Sequence, residues 1–150
     1  MANTPSQNPC GRILLVDDNS LGLAARRSVL EELGHRVFTS STAAEALELC
    51  GKHTIDVVVT DYKMPKMNGI ELIARLRKLN PAIAVILISG FTDTLGFDEA
   101  STGADIVLQK SANEVALLIR AVNRLLRKQQ APKKPASSQA GSKTDKRKTR

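Results

Sequence analysis

The sequence has two cysteines, no tryptophan and one tyrosine among 150 residues. Cys10 lies in a polar leader and Cys50 inside a helical pattern, so a disulfide framework is not expected and a reducing cytoplasm is the better fit. No charged-then-apolar leader opens the chain. No apolar run approaches the roughly 20 residues that a membrane span requires. These absences predict a soluble cytoplasmic protein with no membrane partner.

An excess of basic over acidic charge is also missing from most of the chain, although the whole carries +7. Residues 131–150 contain seven Lys or Arg and one Asp, so +6 of that charge sits in the tail. The first 130 residues are close to neutral, and a globally basic nucleic-acid-binding domain is not indicated. The tail has no aromatic residue on which a base could stack, which leaves at most weak, salt-sensitive contact with nucleic acid or an acidic partner. It has no large apolar residue either and cannot offset its ordering entropy by burial, so 131–150 is expected to be a disordered basic extension. Residues 1–10 are polar and proline-broken and are read as a disordered leader. One domain is expected between them, over 11–130.

Within that domain two kinds of segment alternate. RILLV (12–16), DVVVT (56–60), AVILIS (84–89) and DIVLQ (105–109) are short, β-branched-rich runs. Their continuous apolarity marks strands covered on both faces, as in a parallel sheet. HRVFTS (35–40) is weaker and suits an edge. The segments between them have helical spacing, as in Val115, Leu118, Ile119, Val122, Leu125 and Leu126 of the last one. Thr42 with Glu45, Ser111 with Glu114 and Asn68 with Glu71 spell capping boxes. Gly34, Gly51 and Gly103 stand where helices should stop.

Strict βα alternation predicts an α/β fold with a five-stranded parallel sheet and helices on both faces, for which a doubly wound order of 2-1-3-4-5, that of the flavodoxin-like folds, is expected. In such folds ligands bind beyond the carboxyl ends of the strands, at the switch point between strands 1 and 3.

The residues at those ends carry chemistry. Strand 1 runs into Asp17 and Asp18, strand 3 ends at Asp61, strand 4 at Ser89, and strand 5 runs into Lys110. A parallel sheet puts all of them on one rim. Carboxylates that close repel unless a cation lies among them. Oxygen ligands without His or Cys favour a hard ion such as Mg²⁺. A carboxylate beside Mg²⁺ can act as a nucleophile on phosphorus, with a lysine and a hydroxyl neutralising the transferred group.

RILLVDDN, VVVTDYKMPKMNG, VILISG and GADIVLQK resemble the successive signatures of the response-regulator receiver domain of two-component systems, over about residues 11–129. The resemblance implies a flavodoxin-like fold and the following roles. Asp61 is the phospho-acceptor. Asp18 is a direct Mg²⁺ ligand, Asp17 a second acidic ligand acting partly through water, and the Lys63 carbonyl a backbone ligand. Ser89 is the switch hydroxyl and Lys110 the phosphate-binding lysine. It also implies a histidine kinase or phosphotransfer protein as donor, and a downstream protein partner on the helix 4–strand 5–helix 5 face. The chain then acts as a stand-alone signalling switch rather than an enzyme, catalysing only its own phosphoryl transfer and slow loss of the phosphate.

Three departures keep a second reading open, that of a docking module with altered or lost switching. Val107 stands where the family usually has an aromatic residue, and Ser111 where proline usually follows the lysine. Residues 91–102, the expected fourth helix, contain Gly96 and several threonines, which are poor helix formers. The resemblance also implies that Lys63 and Phe91 occupy the positions that influence attack of water on the phosphoryl group; neither offers a carboxylate or amide to orient that water, so a long-lived phosphorylated form is expected.

Overall fold

The computed structural model describes residues 9–90 and 98–130. Five strands alternate with helices: β1 (Arg12–Val16), α1 (Ser20–Glu32), β2 (Arg36–Ser40), α2 (Ala43–Lys52), β3 (Val57–Asp61), α3 (Gly69–Leu79), β4 (Ala84–Ser89), α4 (Glu99–Thr102), β5 (Ile106–Gln109) and α5 (Glu114–Gln130). The strands form one parallel sheet, as the alternation predicts, in the expected flavodoxin-like order β2-β1-β3-β4-β5.

The pleat explains why the strands read as continuous apolar runs. Successive side chains alternate between faces, and both faces are covered. Ile13, Leu15, Val57, Val59, Ile86 and Ile88 pack under α1 and α5 with Leu30, Leu118, Val122 and Leu126. Leu14, Val16, Val58, Val85 and Leu87 pack on the other face under α2 and α3, against Ala46, Leu72, Ile73 and Leu76. Along α5 the apolar stripe is buried from Leu118 onward, while Val115 is exposed.

Local chemistry sets the helix ends. Asn19 caps α1, its side chain accepting from the Leu21 and Gly22 N–H groups. The Asn68–Glu71 capping box forms in full. Thr42 caps α2, but the Glu45 carboxylate accepts from Ser41 rather than returning to Thr42. The box expected at Ser111 and Glu114 is not formed. The Ser111 hydroxyl accepts from the Asn113 N–H, the helix begins at Glu114, and the Glu114 carboxylate is taken by Arg26. Gly34 and Gly103 end their helices at positive φ, +99° and +82°. Gly51 does not end α2, which continues through Lys52 and is capped at His53. Of the helix expected over 91–102, Glu99–Thr102 is helical, and residues 91–97 lie outside those described. The two expected disordered tails also fall outside the described residues, except Pro9 and Cys10. Among the described residues no helix is long and apolar enough to cross a membrane.

Candidate functional site

Strand register builds the site. Val16 lies opposite Thr60, Asp61 opposite Ile88, and Ser89 opposite Gln109. The residue that ends or follows each strand therefore falls on a common rim. Backbone bonds extend this alignment past the strands: Asp17 N–H to Ser40, Tyr62 N–H to Ile88, and Lys110 N–H to Ser89. Gly69 lets α3 begin directly against this rim. Its N–H donates to the Tyr62 carbonyl, and a Cβ there would meet the Asp61 carbonyl at 2.5 Å. Any side chain would push the helix off the end of β3.

Asp17, Asp18 and Asp61 each offer a carboxylate oxygen within 4.8 Å of the others. Asp17 and Asp61 are buried and Asp18 is exposed, so the cluster opens outward through Asp18. These three residues line a cavity of about 480 Å³ with Lys63 and Lys110. A smaller cavity beside it joins Asp61 to Ser89 and Gly90. A pocket of about 520 Å³ between the ends of α2 and α3 includes no residue of this cluster.

The Lys110 ammonium lies 3.1 Å from both Asp61 oxygens, but its geometry makes a hydrogen bond to Oδ2 alone. Among the described residues, Asp61 Oδ1 is buried and accepts no hydrogen bond. Burial, then the charge of Asp17, push the Asp61 carboxyl above its ordinary range, against the opposing pull of Lys110 and Arg26. Oδ1 thus has an ion-pair contact with Lys110 but, among the described residues, no hydrogen bond, which leaves it with unused acceptor capacity. Three carboxylates with no His or Cys among them fit a hard divalent cation.

Residues 13–123 match the response regulator receiver domain. The chain belongs to this family. It is 34% identical to the virulence sensor protein BvgS of Bordetella pertussis over 96% of its own length, and spans 12% of that protein. A solved receiver domain of the Francisella response regulator 1452 superposes with a TM-score of 0.73 at 31% identity, covering 80% of this chain and 99% of that one. The response regulator protein TrrA of Thermotoga maritima, solved in complex with Mg²⁺–BeF, superposes with a TM-score of 0.69 at 30% identity, covering 77% and 98%. TrrA has also been solved in complex with the histidine kinase ThkA. Receiver domains are signalling modules of two-component systems that bind Mg²⁺ at an acidic pocket. Phosphorylation-dependent switching is their general role.

All six residues singled out in the receiver sequence lie around this rim: Asp17, Asp18, Asp61 and Lys63 about one cavity, Ser89 beside it, and Lys110 bridging the two. Two further charged residues belong to it. Arg26 is buried on α1 and donates from Nη1 to Asp17 Oδ2 at 2.9 Å. It also reaches Glu114 Oε2 from Nε at 2.7 Å and from Nη2 at 2.6 Å. The sequence carries a signal for Arg26. Leu23, Arg26 and Leu30 share one helical stripe, and a charged residue inside an apolar stripe needs a buried counter-ion. His35, just after the end of α1, reads in the sequence as a helix C-terminal cap or a solvent contact. It is buried instead, its Nδ1 accepting from the Gly11 N–H.

Proposed function

We propose that the chain is a phosphorylation-dependent switch that accepts a phosphoryl group from a phosphohistidine donor on Asp61. The single observation that carries this reading is the convergence of Asp17, Asp18 and Asp61 carboxylate oxygens within 4.8 Å of one another, with the Lys110 ammonium 3.1 Å from the buried Asp61. An Asp61 oxygen would form the O–P bond while the P–N bond of the donor breaks. The electron pair leaves with the imidazole, which takes a proton. Asp17, Asp18, Asp61 and the Lys63 carbonyl would hold Mg²⁺, which when bound supplies positive charge to the phosphoryl oxygens. Lys110, already beside Asp61, would follow the transferred oxygens, and the Ser89 hydroxyl would donate to one of them. The donor would be a histidine kinase or phosphotransfer protein. The family membership and the ThkA complex of TrrA support that donor class.

Readout is proposed through α4, β5 and α5 rather than through an aromatic ring on β5, because Val107 cannot swing one. The Val107 N–H donates to the Glu99 carboxylate at 3.1 Å, tying α4 to β5 next to the site. A short helix on one such tether is a suitable element for a two-state change. The competing reading is a docking module without switching, which the half-buried Val107 and the Ser111 substitution favour.

Incubation with acetyl phosphate and Mg²⁺ should add one phosphate by intact mass. Chelation and Asp61→Asn should each abolish it. Full labelling of the Asn variant would overturn the assignment. Hydrogen exchange with and without beryllofluoride separates the two readings: the switch predicts slowed exchange across 98–110, and the docking module predicts none.

A further inference from the structure

We propose that Arg26 is a positioning residue that tunes cation affinity at the acidic cluster and transmits its occupancy to the start of α5 through Glu114. The inference rests on the Mg²⁺ site proposed above. Arg26 is 6% exposed, and its guanidinium is shared between two carboxylates from different parts of the chain. Asp17 belongs to the cluster; Glu114 is the first residue of α5, four after Lys110. The three residues line one small cavity with Gly22. A Cβ on Gly22 would come to 3.1 Å from Asp17 Oδ2, so glycine leaves room for the carboxylate that Arg26 holds.

The consequence is electrostatic. Both Asp17 oxygens are engaged, Oδ1 by the Asn19 N–H at 2.9 Å and Oδ2 by Arg26. A fixed guanidinium charge touching one of three clustered carboxylates opposes a second cation in the same field. Mg²⁺ meets the same field with twice the charge. Glu114 moderates it by drawing the guanidinium the other way. When a cation pulls on Asp17, Arg26 is left to Glu114 and the first turn of α5 is held more firmly. A charge pair in a desolvated pocket carries this coupling because water does not screen it.

Magnesium titration of the full chain tests the idea, by calorimetry and by emission of Tyr62, the single tyrosine in a protein without tryptophan. Arg26→Met should tighten Mg²⁺ binding about tenfold, since it removes the opposing charge. Glu114→Gln should weaken it about threefold, since Arg26 then bears wholly on Asp17. Arg26→Lys, which keeps the charge, should stay close to wild type. These opposite signs are the signature, because a merely structural role would move both variants the same way. Arg26→Met leaves the Asp17 and Glu114 carboxylates without their counter-charge and is checked for folding first, whereas Glu114→Gln keeps the buried Asp17–Arg26 pair and is expected to melt as a folded protein. In wild type, Mg²⁺ should slow exchange of amides 114–118, and in Glu114→Gln it should not. Unchanged affinity in a folded Glu114→Gln protein overturns the relay while leaving the magnesium site standing. Absence of saturable Mg²⁺ binding in wild type overturns both.

Discussion

The two ends of the sheet are built on opposite terms. At the amino ends of the strands, charged groups are spent on backbone partners. Asp56 accepts from the Arg12 N–H at 2.7 Å, and Asp105 accepts from the Val85 N–H at 2.8 Å and from Arg77 at 3.0 Å. Arg77 also donates to the Gly103 carbonyl at 2.9 Å and to the Ile83 carbonyl, joining α3, β4 and the turn before β5. At the carboxyl ends, three carboxylates are crowded together, one buried oxygen has no hydrogen bond, and Lys66 takes a left-handed conformation at φ +72°. One rim stabilises the fold and the other holds unfavourable energy where a ligand can relieve it. Function resides at the end where local rules are broken.

Substitutions at the two rims should therefore have opposite signs. Arg77→Met should destabilise by about 3 kcal/mol, because it strips a donor from the Pro81, Ile83 and Gly103 carbonyls and from Asp105 at once. Denaturant unfolding measures this, and phosphorylation by acetyl phosphate should be unaffected in the folded fraction. A loss as large at the other rim would break the comparison. There, Asp61→Asn should raise the melting temperature of chelated protein by a few degrees, since it removes a buried charge that burial and Asp17 disfavour. Excess Mg²⁺ should narrow that gap by stabilising wild type more than the variant.

Lys66→Gly should stabilise by about 1 kcal/mol, the usual size of the strain of a non-glycine residue at positive φ. Equal urea midpoints would place no strain in that loop. The smallest effect belongs to His35 at the amino-end rim. Burial holds its pKa below the ordinary 6.5, so the folded state keeps the ring neutral. The stability from His35 is present above 6.5 and is lost as pH falls through that value, because the unfolded chain then binds the proton more readily. Urea midpoints should drift down on acidification, and His35→Gln, which keeps an acceptor, should flatten the drift.

Much of the functional rim was legible without coordinates. Asp17, Asp18, Asp61, Ser89 and Lys110 each end or follow an apolar run, and parallel alternation puts such residues on one edge. Arg26 and Glu114 were not legible as a pair, since they are 88 positions apart and meet only when α1 and α5 pack on the same face of the sheet. The Ser111–Glu114 capping box failed for the same reason: a buried guanidinium offers the Glu114 carboxylate a stronger partner than an exposed amide. Gly51 misled because glycine weakens a helix by only about 1 kcal/mol, and Ala46, Leu47 and Leu49 on α2 gain more by packing.

The sequence by itself determined the βα alternation and the burial of both sheet faces, which follow from local period, while the family and the strand order came through the resemblance of its motifs. It also placed Asp17, Asp18, Asp61, Ser89 and Lys110 on the rim. Tertiary structure alone decided which of their charges are satisfied. That depends on distances between helices far apart in the chain, and on whether a buried oxygen such as Asp61 Oδ1 meets a donor or is left without one.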